Sequence, residues 1–253
     1  MTTKILLCGA CGKMGANVLS LVSEDETAEV VCGVDLFPKE IGIPVYKSFT
    51  EVKEKADVII DFSSPTALKE RLDYAKEHKT GIVLASTGFT DSDLALIDEY
   101  SNEVAIFKTA NLSLGVNLMQ ALCKAAAQVL GDAFDVEIIE RHHSLKKDAP
   151  SGTALMLADS INEVYQGEKE YINGRNGIVG ARKQTEIGIH AVRGGTIVGE
   201  HEVSFCGEDE IITISHSARS KKVFAVGAIR AAKFLHGKGA GMYAMKDLLE
   251  TEN

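Results

Sequence analysis

Lys4-Ile5-Leu6-Leu7-Cys8-Gly9-Ala10-Cys11-Gly12-Lys13-Met14-Gly15 is the stretch on which the fold of the chain turns. Lys4 to Cys8 has the apolar run of a buried strand, and Met14 to Ser23 has helical spacing. Between them Gly9, Gly12 and Gly15 recur every third residue. After a strand and before a helix, glycines let the turn tighten and let backbone amides approach an anion. The negative charge is favoured there by unpaired N–H groups and by the helix dipole. The spacing departs from the commoner G-x-G-x-x-G, but the context is that of a dinucleotide phosphate loop.

An acidic residue at the end of the next strand strengthens that reading. Asp35 follows the run Val30 to Val34, where a carboxylate would accept hydrogen bonds from a ribose diol and favour NADH. A 2′-phosphate would need a cation instead. Leu36 and Phe37 supply none, which leaves Lys13 and Lys39 as the residues that would admit NADPH. The alternative is that Asp35 is only a turn carboxylate.

Outward from this loop the pattern repeats. Ala28 to Val34, Val58 to Phe62, Gly81 to Ala85 and Val104 to Phe107 read as further strands. Pro65 is expected to open a helix to about His78, and another starts near Asp91. Strands alternating with amphipathic stretches predict a parallel sheet wrapped by helices. Leu114 to Leu130 is a long helix with an apolar face, and beyond it the pattern changes. Phe134 to His143 reads as a strand, Ala154 to Tyr165 as a helix capped by Ser151 or Thr153, and Gly167 to Gly180 as a loop. Glu186 to Val192, Ile197 to Phe205 and Ile211 to His216 follow without helices between them, which predicts an antiparallel or mixed sheet. Val223 to Leu235 is amphipathic and is expected to pack back on the first domain.

The expected fold is therefore α/β: an N-terminal Rossmann-like parallel sheet domain with an inserted α+β substrate and oligomerisation domain of mixed sheet. Residues 1–113 with 223–253 would bind the dinucleotide, and residues 114–222 would bind substrate and form the oligomer.

Composition narrows the partner. A formal charge of −9 lacks the basic field that nucleic acid or a membrane surface requires, so a small solute is expected. Met1 to Ala10 leads straight into a strand, and no apolar run is long enough to span a bilayer, which reads as a cytoplasmic chain. Cys8 and Cys11 form a C-x-x-C spacing, but they belong to the glycine loop and no second pair exists. The five cysteines read as ordinary reduced thiols, and no metal site is expected.

Proton chemistry concentrates in Glu140-Arg141-His142-His143-Ser144-Leu145-Lys146-Lys147-Asp148-Ala149-Pro150-Ser151-Gly152-Thr153. Two histidines and two lysines lie at a strand's end, just before a hydroxyl-glycine-hydroxyl helix start. Proton donors and an anion-binding amide cluster thus fall in one small region, which suits an anionic substrate. Neighbouring side chains on a strand point to opposite faces, so His142 and His143 cannot both face one pocket if the strand runs through them. Either histidine alone could be structural. The H-H pair lacks the i, i+4 partner of a zinc helix, and Ser151 lacks a nucleophile elbow and reads better as an N-cap.

Together with Thr87-Gly88, Ala110-Asn111-Leu112-Ser113, Arg193-Gly194-Gly195-Thr196 and Gly227-Ala228-Ile229-Arg230, these segments resemble, in order and over essentially the whole chain, the 4-hydroxy-tetrahydrodipicolinate reductase family. The resemblance implies that Gly9, Ala10, Cys11, Gly12, Lys13 and Met14 hold the pyrophosphate and Asp35 the ribose. Ala85, Ser86, Thr87, Thr109, Ala110, Asn111 and Leu112 would line the nicotinamide side. It implies His142 as proton donor or acceptor, Lys146 as its cationic partner, and His143, Gly152 and Thr153 as ligands of the substrate carboxylates. The implied reaction is NADH- or NADPH-dependent reduction of 4-hydroxy-tetrahydrodipicolinate to tetrahydrodipicolinate with loss of water, on the route to diaminopimelate and lysine, by a cytoplasmic homotetramer. Ala85-Ser86 stands in place of the usual Gly-Thr, and Lys13 in place of the usual Arg.

Overall fold

Two strands of unlike connection flank the first one. In the computed structural model, which describes residues 1–251, β1 (Thr3–Cys8) pairs in parallel with β2 (Ala28–Val34) on one side and with β4 (Val58–Asp61) on the other. β3 (Val45–Tyr46) continues beyond β2, while β5 (Gly81–Leu84), β6 (Ala105–Lys108) and β12 (Gly241–Tyr243) continue beyond β4. The order β12-β6-β5-β4-β1-β2-β3 is all parallel, and the direction of winding reverses at β1. In open α/β sheets ligands bind outside the carboxyl ends of the strands at such a reversal.

Both faces of this sheet are covered, which is why its strands read as continuous apolar runs. α2 (Leu68–His78) and α3 (Asp91–Ser101) set Leu68, Leu72, Ala75 and Ile97 against Leu6, Ile59, Ile82 and Ile106. The alternate strand residues face α1 (Lys13–Val22) and α6 (Lys222–Leu235), with the Phe107 and Phe234 rings 6.1 Å apart. α3 starts where the sequence places it, because Thr90 and Asp93 form a reciprocal capping box. α7 (Met245–Thr251) follows β12. The sequence had offered no strand at Val45 or at Gly241, since runs of two and three residues carry no periodicity.

α2 begins at Leu68 rather than at Pro65. Ala67 adopts a left-handed conformation (φ 63°), and Pro65 instead lies in a turn closed by the Leu68 amide on the Pro65 carbonyl. The Arg71 guanidinium takes the Ser64 and Thr66 carbonyls, which holds these residues out of the helix.

The chain forms two compact units, the first comprising Met1–Ser113 and the segment from Lys222 onward, the second Leu114–Lys221. The second contains α4 (Leu114–Leu130), β7 (Asp135–His142), α5 (Gly152–Asn162), β8 (Glu170–Asn173), β9 (Glu186–Arg193), β10 (Gly199–Cys206) and β11 (Ile211–Ala218). The sheet order is β11-β10-β7-β9-β8. β10 runs antiparallel to β7 and β11, whereas β7, β9 and β8 are mutually parallel, so the sheet is mixed as expected. β8 corrects the loop reading of Gly167 to Gly180: four residues of a sheet edge sit inside a glycine-rich stretch. α5 stops at Asn162, three residues early, and positive φ at Gln166 and Gly167 turns the chain.

One face of this sheet packs on α4 and α5, where Val136, Ile138, Ile187, Ile189, Val203 and Phe205 meet Met119, Cys123, Leu157 and Ile161. Strict alternation along β7 buries Val136, Ile138, Glu140 and His142 together. Glu140 and His142 thus continue the core face rather than the outer one. Among the described residues no helix is long and apolar enough to cross a membrane.

Candidate active site

Parallel register aligns four loops at one edge of the first sheet. Cys8 pairs with Asp61, Asp61 with Leu84, and Leu84 with Lys108, so the segments after them leave from the same level. These are the glycine loop, Phe62 to Ala67, Ala85 to Thr90 and Thr109 to Ser113. The expected dinucleotide residues from all but the second loop therefore share this edge.

The glycine loop is built from backbone. Gly9 has φ +74°, and a Cβ there would fall 2.9 Å from the Phe62 carbonyl oxygen. A Cβ on Gly15 would fall 2.3 Å from the Ala10 carbonyl oxygen, so only glycine lets the loop fold onto the start of α1. Gly12 caps α1 without a side-chain hydrogen bond, and the first turn carries no carboxylate. The positive end of the helix is thus left to an external anion. Asp35 accepts the Cys11 amide on one oxygen and the Phe37 amide on the other, each at 3.0 Å, which ties the end of β2 to the loop. Beside it lies a cleft of about 330 Å³ lined by Gly9, Asp35, Leu36, Phe37, Ser64 and Arg71. Lys47 also lines it, whereas Lys13 and Lys39, the cations considered from sequence, are exposed and lie outside its lining. These features fit a dinucleotide. Burial pushes the Cys8 thiol well above its ordinary value and keeps it protonated.

A buried ion pair supports that cleft. Asp61 is fully buried, and its carboxylate lies 3.0 Å from the Arg71 Nε, close enough for charge pairing though not aligned as a hydrogen bond. Asp61 also accepts the Ser63 amide at 3.0 Å and the hydroxyls of Ser63 and Ser86. The Arg71 Nη atoms donate to the Thr66 and Ser64 carbonyls at 3.0 and 2.6 Å. Sequence reading missed both residues, although a carboxylate at the end of an apolar strand was a usable signal. Ser86, expected near the nicotinamide, is tied to this pair, with Ala85 and Thr87 beside it. On the last loop, Thr109 donates to the Asn111 carbonyl, and Asn111 accepts the Ser113 amide at 2.8 Å, fixing Thr109 to Leu112 in a turn.

In the second unit the histidine segment resolves into distinct positions. β7 ends at His142, so His142 faces inward while His143 enters the turn, with a buried Nδ1 that has no hydrogen-bond partner. His142 Nδ1 lies 2.6 Å from Glu140 Oε2. The Glu140 carboxylate also receives both Arg193 Nη groups at 2.8 Å and the Ser151 amide at 3.0 Å. Burial pushes its carboxyl up, but the hydrogen bonds from Arg193 and His142 outweigh this and hold it below its ordinary range.

Ser151 caps α5, accepting the Ala154 amide, and its hydroxyl lies 3.0 Å from His201 Nε2. Gly152 is exposed, with nothing within 4 Å of where a Cβ would stand, and Thr153 is half-buried beside it. Lys146 pairs with both oxygens of Asp148 at 2.8 and 2.9 Å. His142 is thus linked through Glu140 to the Ser151 amide at the start of α5, where Gly152 and Thr153 lie, while His143 and Lys146 lie in the connecting loop. Glu140, Arg193 and His201 complete the cluster. Arg193 had entered only through the resemblance, and Glu140 and His201 had been given no role. The alternation of β7, with a carboxylate two residues before a histidine on the apolar face, was the signal for Glu140.

Residues 3–112 match the family model described as dihydrodipicolinate reductase, N-terminus, and residues 115–249 the one described as its C-terminus. Over 250 residues the chain is 50% identical to the 4-hydroxy-tetrahydrodipicolinate reductase of Caldanaerobacter subterraneus subsp. tengcongensis, covering 99% of each. It is 44% identical over 252 residues to that of Clostridium novyi, covering 99% of this chain and 100% of the relative. Among solved structures, a dipicolinate-bound dihydrodipicolinate reductase from Paenisporosarcina sp. TG-14 is similar over 96% of this chain and 98% of that one, with TM-score 0.80 and 28% identity. Matched along both halves in sequence and as a whole in fold, the chain belongs to the dihydrodipicolinate reductase family of oxidoreductases.

Proposed function

We propose that this reductase converts 4-hydroxy-tetrahydrodipicolinate to tetrahydrodipicolinate, with His142 handling the proton and the glycine loop and Asp35 holding NADH or NADPH. The observation that carries the assignment of roles is the chain His142–Glu140–Ser151, which ties the buried His142 imidazole to the N-terminus of α5, a setting suited to a small dicarboxylate. The dipicolinate in the Paenisporosarcina structure is such a dicarboxylate.

On this reading the amides of Gly9, Ala10, Cys11, Gly12, Lys13 and Met14 meet the pyrophosphate. Asp35 accepts from the ribose diol, and Ala85 to Thr87 and Thr109 to Leu112 border the nicotinamide. The reduced dinucleotide, when bound, supplies a hydride. Water leaves the substrate as a conjugated imine forms, and hydride addition to that system builds negative charge which a proton must quench. His142 Nε2 delivers the proton. Lys146 exchanges Asp148 for a substrate carboxylate, and His143 with the Gly152 and Thr153 amides takes the other. Lys47, which lines the Asp35 cleft, is the cation placed to meet a 2′-phosphate. Residues 1–113 with 223–253 act as the dinucleotide domain, and 114–222 as the substrate and oligomerisation domain of a cytoplasmic homotetramer. Ile211 on β11 is 66% exposed and supports assembly through that sheet.

The test is steady-state oxidation of NADH and of NADPH, with substrate generated in situ from pyruvate and aspartate semialdehyde by the preceding synthase. Substrate-dependent turnover is expected with at least one cofactor. His142→Asn and Lys146→Met should each lower kcat by about 10²-fold or more while leaving dinucleotide binding intact. Full activity in both variants would overturn the assigned roles.

A further inference from the structure

We infer that Glu140 is a positioning residue, which fixes the His142 imidazole with its proton on Nδ1 so that Nε2 is the nitrogen exchanging protons with substrate. This rests on the proposed role of His142 and adds the residue that orients it.

The position argues against a purely structural role. Val136 and Ile138 occupy the same face of β7, and an apolar side chain would fill the next place without desolvating a charge. Instead a carboxylate with no exposed surface stands there, with four donors on its two oxygens. Arg193 and the Ser151 amide would by themselves satisfy one buried carboxylate. The fourth donor, His142 Nδ1 at 2.6 Å, has the geometry by which a carboxylate selects an imidazole tautomer.

Nε2 faces the backbone of β10, where Gly199 leaves it room: a Cβ on Gly199 would lie only 3.1 Å from it. The His201 ring approaches edge-on, with centroids 5.2 Å apart. Burial lowers the pKa of His201 to about 4 and also lowers that of His216, its partner across the β10–β11 pair, so neither ring favours a positive charge beside His142. Arg193 on β9 and Lys146 in the loop after β7 are cations of the neighbourhood. Arg193 also donates to the Asp148 carbonyl at 2.6 Å, so the group that steadies Glu140 also holds the loop carrying Lys146.

The experiment is ¹⁵N NMR of histidine-labelled, full-length protein without substrate, at a pH where the imidazoles are neutral. His142→Asn assigns its resonance among the seven histidines. The expected spectrum shows His142 protonated at Nδ1 and bare at Nε2. The reverse pattern in the wild-type chain would overturn the inference, and that reading needs no activity; the variant serves only to assign the resonance.

In Glu140→Gln the tautomers should mix, and kcat should fall by about 10²-fold with KM for substrate changed less than about threefold. A raised KM with kcat preserved would mean that Glu140 serves only to hold the Arg193 loop, and would overturn the inference. Glu140→Asp, which keeps the charge, should recover part of kcat, and no recovery together with an unchanged tautomer counts against it. If the wild-type protein reduces no substrate, the functional reading fails, while the wild-type spectrum still decides the tautomer.

Discussion

A Cβ placed on Gly227 would lie 1.7 Å from the carbonyl oxygen of Leu112, so α6 and the loop after β6 touch backbone to backbone. The loop that carries Thr109 to Leu112 is therefore set by a helix more than a hundred residues later in the chain. Gly227→Ala should force the two apart, costing about 1–3 kcal/mol as other overpacked sites do. It should also weaken dinucleotide binding, because Leu112 moves. Thermal unfolding and a dinucleotide titration check both, and a variant with unchanged melting temperature would mean that the backbone yields freely.

Arg71→Met leaves the buried Asp61 carboxylate without its cation and frees the Ser64 and Thr66 carbonyls. Removing one partner of such a pair costs about 3–5 kcal/mol. Because Ser64 and Arg71 line the cleft beside Asp35, dinucleotide affinity should fall as well. Denaturant unfolding should show that adding Asp61→Asn to Arg71→Met recovers part of the loss, since no unpaired charge then remains. A double variant no more stable than the single one would show that hydrogen bonds, not charge, dominate.

Ala67 carries φ +63° immediately before α2. A left-handed conformation strains any residue with a Cβ, so Ala67→Gly should stabilise the chain or leave it unchanged, by up to about 1 kcal/mol despite glycine's greater freedom when unfolded. A clear drop in melting temperature would show that the Ala67 methyl makes packing contacts that outweigh the strain.

Acid stability should carry a histidine signature. Burial drives His201 from its ordinary value of 6.5 down to about 4, with nearby His142, His216 and Lys146 adding to the effect and Glu140 opposing it. The unfolded chain therefore binds this proton at higher pH than the folded one. The contribution of His201 is fully present above pH 6.5 and is lost as pH falls towards 4. His216, also depressed by burial, acts in the same direction. In His201→Gln, unfolding free energy measured from pH 7 down to 4 should fall less steeply than in the wild-type chain. Parallel curves would show that His201 takes up its proton alike in the folded and unfolded states.

What the sequence determined by itself is whatever depends on near neighbours along the chain. Strand, glycine loop and helix follow one another within the first residues, and Thr90 and Asp93 lie three apart, so the parallel domain and the start of α3 could be read directly. The alternation of β7 likewise lay in the sequence, and with it the face shared by Glu140 and His142. Tertiary structure decided what depends on distant residues and on burial. Arg71 holds back the start of α2 by taking two carbonyls, β8 forms only because β9 offers it an edge, and Lys47 rather than Lys39 reaches the cleft. Glu140 meets Arg193 and Ser151 through pairings across 53 and 11 residues. A carboxylate's role there is set by which donors surround it once water is excluded, and that is fixed only when strands and helix close over it.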